Sequence, residues 1–182
     1  MTPEVRTERL LLRSWTDGDR GPFAAINQDP LVMEFLGPLM SRSDSDAFVD
    51  RMIRHWDEHG FGLWCVDLDD ECIGFTGLNA PTWAARFTPC VEVGWRLASV
   101  TWGRGYATEA ARAALDFGFG EHGLDEIVSF TTIENVRSRR VMERLGMTHD
   151  PADDFDHPYA PPDLRPHVLY RLQSTYGVGS GP

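Results

Sequence analysis

The sequence has little positive charge. Its 182 residues include 17 basic and 28 acidic side chains, which gives a formal net charge of −11 at pH 7. Nucleic-acid surfaces depend on clustered Lys and Arg that contact phosphates. We therefore predict that the chain has no nucleic-acid partner.

Cysteine is scarce as well, with three residues, Cys65, Cys72 and Cys90. An odd number of cysteines does not fit a complete set of disulfides, and these three lack the closely spaced pairs of a zinc site. They are therefore interpreted as buried reduced thiols. His55 and His59 have metal-ligand spacing in a predicted helix, but no third ligand accompanies them, so a solvated helix face is the preferred interpretation. We predict no bound metal.

Long apolar runs are missing from the start of the chain. Residues 1–15 offer only Leu10-Leu11-Leu12, whereas a signal peptide or a membrane span needs a longer run. We predict no membrane association and a cytoplasmic location. The apolar fraction of 42% and the charged fraction of 25% are ordinary for a globular protein, and the length fits one domain.

The periodicity of the remaining sequence predicts an α+β protein. Strands are expected at residues 9–15, 63–68, 72–78, 90–98, 127–133 and 167–172. Helices are expected before Pro30, after a polar loop at 41–45, and at 107–115 and 138–145. Because strands follow one another directly in the first half, the sheet there should be antiparallel. We assign residues 1–172 to one domain and predict a disordered tail at 173–182.

The segment 90–98 has the clearest pattern. Two sets of residues alternate in it, with Val91, Val93, Trp95 and Leu97 in one and Glu92, Gly94 and Arg96 in the other. A period of two places these sets on opposite faces of a strand. The apolar face should therefore enter the core, and the polar face should remain available for chemistry.

A glycine-containing loop follows this strand and precedes a predicted helix rich in alanine. Gly103 and Gly105 allow a tight turn and close approach of a ligand, and the free amides of the first helical turn attract anions. Arg104 adds positive charge. The same glycines also fit an ordinary strand-to-helix turn. A second glycine pattern, Gly118-Phe119-Gly120-Glu121-His122-Gly123, follows a helix instead of a strand and is interpreted as a helix terminus.

Several segments occur together in a characteristic order. They are Thr7-Glu8-Arg9-Leu10-Leu11-Leu12-Arg13, Val93-Gly94-Trp95-Arg96-Leu97, Trp102-Gly103-Arg104-Gly105-Tyr106-Ala107-Thr108-Glu109-Ala110, Glu134-Asn135-Val136-Arg137-Ser138 and Leu145-Gly146-Met147. In this combination the chain resembles the GNAT superfamily of acetyl-CoA-dependent N-acetyltransferases, and within it the RimJ/RimL-type branch. The resemblance covers nearly the whole chain, from Thr7 to Leu172.

The resemblance implies a mixed, mostly antiparallel sheet, splayed between its fourth and fifth strands, with flanking helices and acetyl-CoA in the gap. It implies that the backbone of Arg96 and Leu97 pairs with the pantetheine arm. The pyrophosphate would be held by Gly103, Arg104, Gly105, Tyr106, Ala107 and Thr108. Asn135 and Ser138 would contact the pantetheine or the thioester end.

Two positions depart from the family pattern. Val100 stands where many members have Gln or Arg before the first glycine of the loop. Met142 stands where many have a Tyr that protonates the leaving thiolate. The first departure leaves cofactor binding intact because amides do most of that work, but the second leaves the identity of the general acid open.

The expected reaction is transfer of an acetyl group to a primary amine, either a peptide or protein N-terminus or a small molecule, by direct attack in a ternary complex. The acidic net charge mildly favours a cationic acceptor such as an amine. Glu92 is the candidate base, with Glu134 as the reserve. Ser138 is assigned to the catalytic set because of its predicted place at the thioester.

Other interpretations remain open at this stage. A non-catalytic acyl-CoA-binding sensor or interaction module would also explain the motifs, and Met142 favours it. A nucleotide hydrolase is disfavoured because the glycine loop of this chain lacks the Lys-Ser/Thr ending that such enzymes need. A basic run could form a solvated helix face or reach the phosphates of coenzyme A; its members are Arg137, Arg139, Arg140 and Arg144. Trp64, Trp83 and Trp95 could lie in the core or line an acceptor pocket. Acceptor identity is expected to depend on residues 30–51 and 150–167, and a homo-oligomer is compatible with the sequence.

Overall fold

A computed structural model describes residues 2–174 of the chain. In this part of the chain there are nine strands: β1 (Val5–Arg6), β2 (Leu11–Arg13), β3 (Leu63–Leu68), β4 (Glu71–Asn79), β5 (Glu92–Leu97), β6 (Glu126–Thr132), β7 (Thr148–His149), β8 (Phe155–Asp156) and β9 (Pro166–Gln173). The α-helices are α1 (Arg20–Asn27), α2 (Pro30–Met33), α3 (Arg42–His59), α4 (Tyr106–Gly120) and α5 (Val136–Arg144).

The strands form one mixed sheet in the order β1-β2-β3-β4-β5-β6-β9-β7, and β8 also pairs with β9. Every pairing is antiparallel except that of β5 with β6, which is parallel. The parallel pair is joined by α4, as a parallel crossover requires. The predicted α+β class and the antiparallel first half are confirmed.

The sheet opens between β5 and β6. Glu92 and Val128 form the single register pair found between these strands in the described residues. The N–H of Val128 donates to the carbonyl of Val91 at 2.9 Å, and beyond Glu92 the two strands separate. The predicted splay between the fourth and fifth strands, which are β5 and β6 here, is confirmed.

Apolar side chains cover both faces of the sheet. On one face α4 packs closely because its inward residues are small: Ala110, Ala111 and Ala114 are all fully buried. On the other face α1 and α3 cover a cluster that includes Phe23, Val49 and Phe75. The apolar set of β5 enters the first cluster, which leaves the polar set of β5 on the face of α1 and α3.

The structure differs from expectation at several boundaries. Residues 41–45, expected as a loop, include the start of α3, because the Ser41 side chain accepts a hydrogen bond from the Asp44 N–H and caps the helix. The short strands β1, β7 and β8 were not predicted. Cys90 precedes β5 and lies outside the strand.

The last strand continues through Gln173, one residue beyond the predicted domain end. The tail predicted from residue 173 lies outside the described residues from position 175 onward. Among the helices of residues 2–174, none combines the length and apolarity that a membrane crossing requires.

Candidate active site

Two cavities meet at β5. One, here called the loop cavity, has a volume of about 330 Å³ and lies among α2, the loop before α4, and α5. The other, here called the face cavity, has a volume of about 600 Å³ and lies on the polar face of β5. Five residues line both cavities: Leu36, Trp95, Arg96, Asn135 and Ser138. The site is therefore a continuous cleft with two compartments.

The loop cavity ends at the N-terminus of α4. Gly103 and Gly105 have left-handed backbones with φ of 77° and 85°, and Gly105 is the N-cap residue. Within the described residues, no side chain caps α4. The N–H groups of its first turn, Tyr106 to Thr108, therefore have neither an intrahelical acceptor nor a side-chain cap. A Cβ built on Gly103 would meet no atom within 4 Å, which leaves open space for a ligand. Uncapped amides and the helix dipole make this end suitable for a pyrophosphate.

Arginines of α5 face the same cavity. Arg137, Arg140 and Arg144 line it, as the alternative interpretation of the basic run suggested. Arg137 lies over the Trp102 ring at 4.6 Å and pairs with Glu34 at 2.7 Å. Together with the first turn of α4, these cations can compensate the charge of an anionic ligand on a protein that is acidic overall.

The loop is held from behind by the N-terminal segment. Glu109, in the first turn of α4, accepts hydrogen bonds from Thr7 Oγ1 at 2.6 Å and from Arg9 Nε at 2.7 Å. Arg9 also donates to the carbonyl of Arg104 at 2.9 Å and lies over the Tyr106 ring. Although desolvation acts to raise the pKa of Glu109, the hydrogen bonds from Thr7 and Arg9 hold it below its ordinary value. Thr7, Arg9 and Glu109 belong to the sequence segments that resemble the family, but nothing in the sequence alone indicates this role for them.

The backbone of even-numbered residues in β5 is directed at β4. Ala98, directly after β5, donates its N–H to the carbonyl of Ile73 at 2.9 Å, and within β5 the carbonyl of Gly94 accepts from Thr76 Oγ1 at 3.1 Å. Backbone groups alternate in direction along a strand, so Arg96 follows the same rule. This corrects the expectation that the Arg96 backbone would face the gap.

The backbone of odd-numbered residues points to the side where β6 departs. The carbonyl of Val91 still accepts from Val128, and the carbonyl of Leu97 accepts from Trp102 Nε1 at 2.9 Å. Between them lies Trp95, whose N–H and C=O face the open gap. The Leu97 N–H faces it as well.

Glu92 lies on the polar face of β5, where the sheet opens, and lines the face cavity. Burial raises the pKa of its carboxyl to about 7, against a smaller opposing effect of the hydrogen bond from Asn79 Nδ2 at 3.4 Å. Such a carboxyl can exchange a proton near neutral pH. Glu134, the reserve candidate, is exposed and lines neither cavity.

Asn135 and Ser138 stand where the two cavities join. Asn135 is buried and caps α5: its Oδ1 accepts from the Ser138 N–H at 3.2 Å, and its Nδ2 donates to Thr131 Oγ1 at 2.9 Å. Its amide therefore already has structural partners. The hydroxyl of Ser138 makes no hydrogen bond within residues 2–174 and lines both cavities, so it is available to a ligand.

Aromatic side chains form a wall of the face cavity. Trp83 and Phe130 line it and meet edge to face with centroids 5.7 Å apart. Trp64, in contrast, is fully buried in the core. His55 also lines the face cavity, with its ring 4.3 Å from that of His59, so the expected solvated helix face is only partly correct.

One group of potential metal ligands lies elsewhere. A carboxylate oxygen of Asp19 and the Sγ atoms of Cys65 and Cys72 lie within 4.8 Å of one another, and all three residues are buried. Arg13 Nη1 contacts the Asp19 carboxylate at 2.7 Å, and a hydrogen bond with Cys72, together with burial, raises the pKa of Cys65. A neighbouring cation and a thiol that keeps its proton oppose metal binding, so we assign no metal to this group.

Comparison with known proteins agrees with this geometry. Residues 9–148 match the family described as "Acetyltransferase (GNAT) domain". The chain belongs to the GNAT acetyltransferase family. Its reaction is accordingly an acetyl-CoA-dependent acyl transfer.

Individual relatives support the assignment. The Bacillus subtilis protein YkkB is 33% identical over 144 residues, which cover 78% of this chain and 83% of YkkB. The "FsC-acetyl coenzyme A-N(2)-transacetylase" of Aspergillus fumigatus is 30% identical, over 81% of this chain and 66% of that protein. The crystal structure of an acetyltransferase from Agrobacterium tumefaciens is 31% identical, covers 96% of both chains and superposes with a TM-score of 0.78.

Both departures from the GNAT motifs can now be located. Val100 is 80% exposed, so the residue type there has little effect on the loop geometry. Met142 is buried and lines the face cavity. At this position the acetyltransferase presents a thioether to the face cavity, without a proton to donate.

Proposed function

We propose that this GNAT acetyltransferase moves the acetyl group of acetyl-CoA to a primary amine by direct attack in a ternary complex. The loop cavity would hold acetyl-CoA, and the face cavity would hold the amine. The proposal rests above all on one observation: the two cavities meet at the opening of the sheet, next to Glu92. On the motifs quoted above, we further propose that the enzyme belongs to the RimJ/RimL-type branch.

The chain's own groups suit acetyl-CoA. First-turn amides from Tyr106 to Thr108, the glycines before them, and the α5 arginines would bind the diphosphate. Backbone groups of Trp95 and Leu97 would pair with the pantetheine arm in place of the missing β6 partner. Fixing both substrates in one cleft removes much of the entropy of encounter, about 7–11 kcal/mol in favourable cases.

The chemical step is assigned to two side chains and one backbone N–H. Glu92 would take a proton from the attacking amine, directly or through water, for a rate gain of roughly 10²–10⁴. The Trp95 N–H would donate a hydrogen bond to the oxygen that becomes negative, and removal of such a donor typically costs about 3 kcal/mol. The hydroxyl of Ser138 would donate a hydrogen bond to the leaving thiolate, because the thioether of Met142 has no proton to offer.

A non-catalytic acyl-CoA-binding module is the second candidate function, favoured by Met142. Release of free coenzyme A, measured with a thiol reagent over a panel of amines, separates the two. We expect release that depends on the amine, with the N-acetyl product seen by mass spectrometry. Because the sequence contains no lysine, acetylation of lysine side chains of the enzyme itself cannot contribute to the signal. Tight binding of acetyl-CoA without amine-dependent release would favour the module instead.

A further inference from the structure

A guanidinium without a carboxylate partner lies at the floor of the face cavity. Arg96 projects from the polar face of β5, and its Nη1 donates to Asn27 Oδ1 at 2.6 Å. Its Nε is buried and has no hydrogen-bond partner among the described residues. Within the same residues, no Asp or Glu forms an ion pair with Arg96.

The surroundings of Arg96 make this charge costly. The guanidinium lies 5.4 Å from the ring centre of Phe48 and 5.5 Å from that of Phe75, and burial lowers its pKa to about 10. Burial of an unpaired charge is unfavourable unless an anion compensates it. The two aromatic faces offset part of this cost.

Acetyl-CoA is a poor candidate for that anion. Its negative charges belong at the start of α4, while its thioester end, which would reach Arg96, is neutral. The acceptor compartment also has other cations. Arg51 and Arg54 line the face cavity, and within the described chain neither pairs with a carboxylate. The acids that line the same cavity are Glu58 and Glu92.

We propose that the amine acceptor of this enzyme carries a carboxylate, and that Arg96 binds it. This inference rests on the proposed function and specifies its substrate class: amino acids and other amines with a carboxylate. Along β5, the side chains of Glu92 and Arg96 share one face with only Gly94 between them, so their Cα atoms are about 13 Å apart. The amine of such an acceptor would be directed toward Glu92 while its carboxylate is held by Arg96. A zwitterion of this kind is compatible with the acidic protein because its net charge is near zero.

Asn27→Asp tests the proposal with a nearly isosteric change. The new carboxylate would take the place of the Oδ1 that Arg96 already contacts, and the Ser45 hydroxyl, now the acceptor of the Asn27 Nδ2 hydrogen at 2.9 Å, can rotate to donate. Arg96 would then have an internal anion.

The amine acceptors to be tested are glycine, L-phenylalanine, 4-aminobutyrate and 6-aminohexanoate, each paired with its carboxamide. For each pair, the ratio of kcat/KM for the carboxylate to kcat/KM for the carboxamide is compared between protein variants, because the carboxamide also changes the pKa of the amine.

We expect the native protein to prefer the carboxylate by about tenfold or more in kcat/KM for at least one spacing. Asn27→Asp should reduce that preference roughly fivefold or more, mainly through KM, and should leave the paired carboxamide within about twofold. Arg96→Lys should retain part of the preference. Arg42→Gln, a change at an exposed arginine that lines neither cavity, is the control and should keep the preference. The inference is overturned if no pair favours the carboxylate, or if Asn27→Asp lowers both members equally.

Binding distinguishes failure of this inference from failure of the proposed function. If no amine is acetylated, the transferase proposal fails, but acceptor binding can still be followed by the fluorescence of Trp83 and Trp95, which line the cavity. Saturable quenching by the carboxylates, lost in Asn27→Asp, would support carboxylate recognition even then. Equal binding of carboxylates and carboxamides to both proteins would reject it.

Discussion

Arg9 and Glu109 form an ion pair at 2.6 Å that joins the N-terminal segment to the first turn of α4. Arg9 also contacts the Arg104 carbonyl, so the pair fixes the loop that would receive the pyrophosphate. The loop before α4 is thus supported by a residue far from it in sequence.

Arg9→Met should therefore weaken acetyl-CoA binding without affecting the acceptor. We expect KM for acetyl-CoA to rise roughly three- to tenfold with kcat nearly unchanged, the signature of lost uniform binding. Arg42→Met, which removes an exposed ion pair with Asp46 at the start of α3, is the control and should leave both constants unchanged. If Arg9→Met raised the KM of the amine equally, a general loss of structure would explain the result instead.

The glycines of the loop allow a matched comparison. Gly103 and Gly123 both have left-handed backbones, and a Cβ at either would meet no atom within 4 Å. Alanine at each position should cost roughly 1–2 kcal/mol of stability because of the left-handed backbone. Gly103→Ala should in addition reduce acetyl-CoA affinity about tenfold or more, since its Cβ would occupy ligand space. Calorimetry that found equal acetyl-CoA affinity in the two variants would remove Gly103 from the binding site.

Glu92→Gln tests the assigned base. We expect kcat/KM at neutral pH to fall about tenfold or more, because a carboxamide cannot accept the proton. The native rate should rise with pH through about 7, where Glu92 loses its own proton, and the defect of the variant should shrink at high pH as free amine becomes abundant. Glu58→Gln, on the same cavity wall, is the control. A pH–rate profile that Glu92→Gln leaves unchanged would exclude Glu92 from the mechanism.

The same substitution predicts a pH-dependent gain in stability. The pKa of Glu92 is about 7 in the folded protein and has an ordinary value of 4.5, so its neutral form is favoured by folding. Its contribution to stability is complete below pH 4.5 and is lost as pH rises through 7. Above pH 7, Glu92→Gln should be more stable than the native protein by on the order of 1–3 kcal/mol, and the difference should vanish near pH 4. Urea unfolding at both pH values measures it, and an equal difference at both would contradict the raised pKa.

The parts of the site with a local period could be predicted from sequence. Strict alternation in residues 91–97 located the polar face of β5 and, with it, Glu92. The spacing of Gly103 and Gly105 before a helical stripe located the start of α4. In both cases the structure is fixed by neighbours in the chain, so a short window contains the information.

Features that depend on tertiary partners could not be predicted in this way. The direction of the Arg96 backbone is set by the register of β5 against β4, which no single strand reveals. The Arg9 and Glu109 contact needs the fold to bring two distant segments together. The start of α3 was missed for a different reason: Ser41, Ser43 and Ser45 have loop-like composition, while the Ser41 hydroxyl acts as a helix cap.

In β5, side chains at even positions line the face cavity, while backbone groups at odd positions face the gap in the sheet. Substitutions at even positions therefore change the cavity lining without changing those backbone groups. In the proposed binding mode, acetyl-CoA would pair with main-chain atoms at Trp95 and Leu97, which every amino acid except proline supplies, whereas the acceptor would contact the side chains of Glu92 and Arg96. If this mode is correct, substitutions at even positions would alter which amine is accepted while the carrier contacts persist. An insertion of one residue within β5 would exchange the two sets at once, so a change of length would disturb the proposed carrier contacts together with the acceptor contacts.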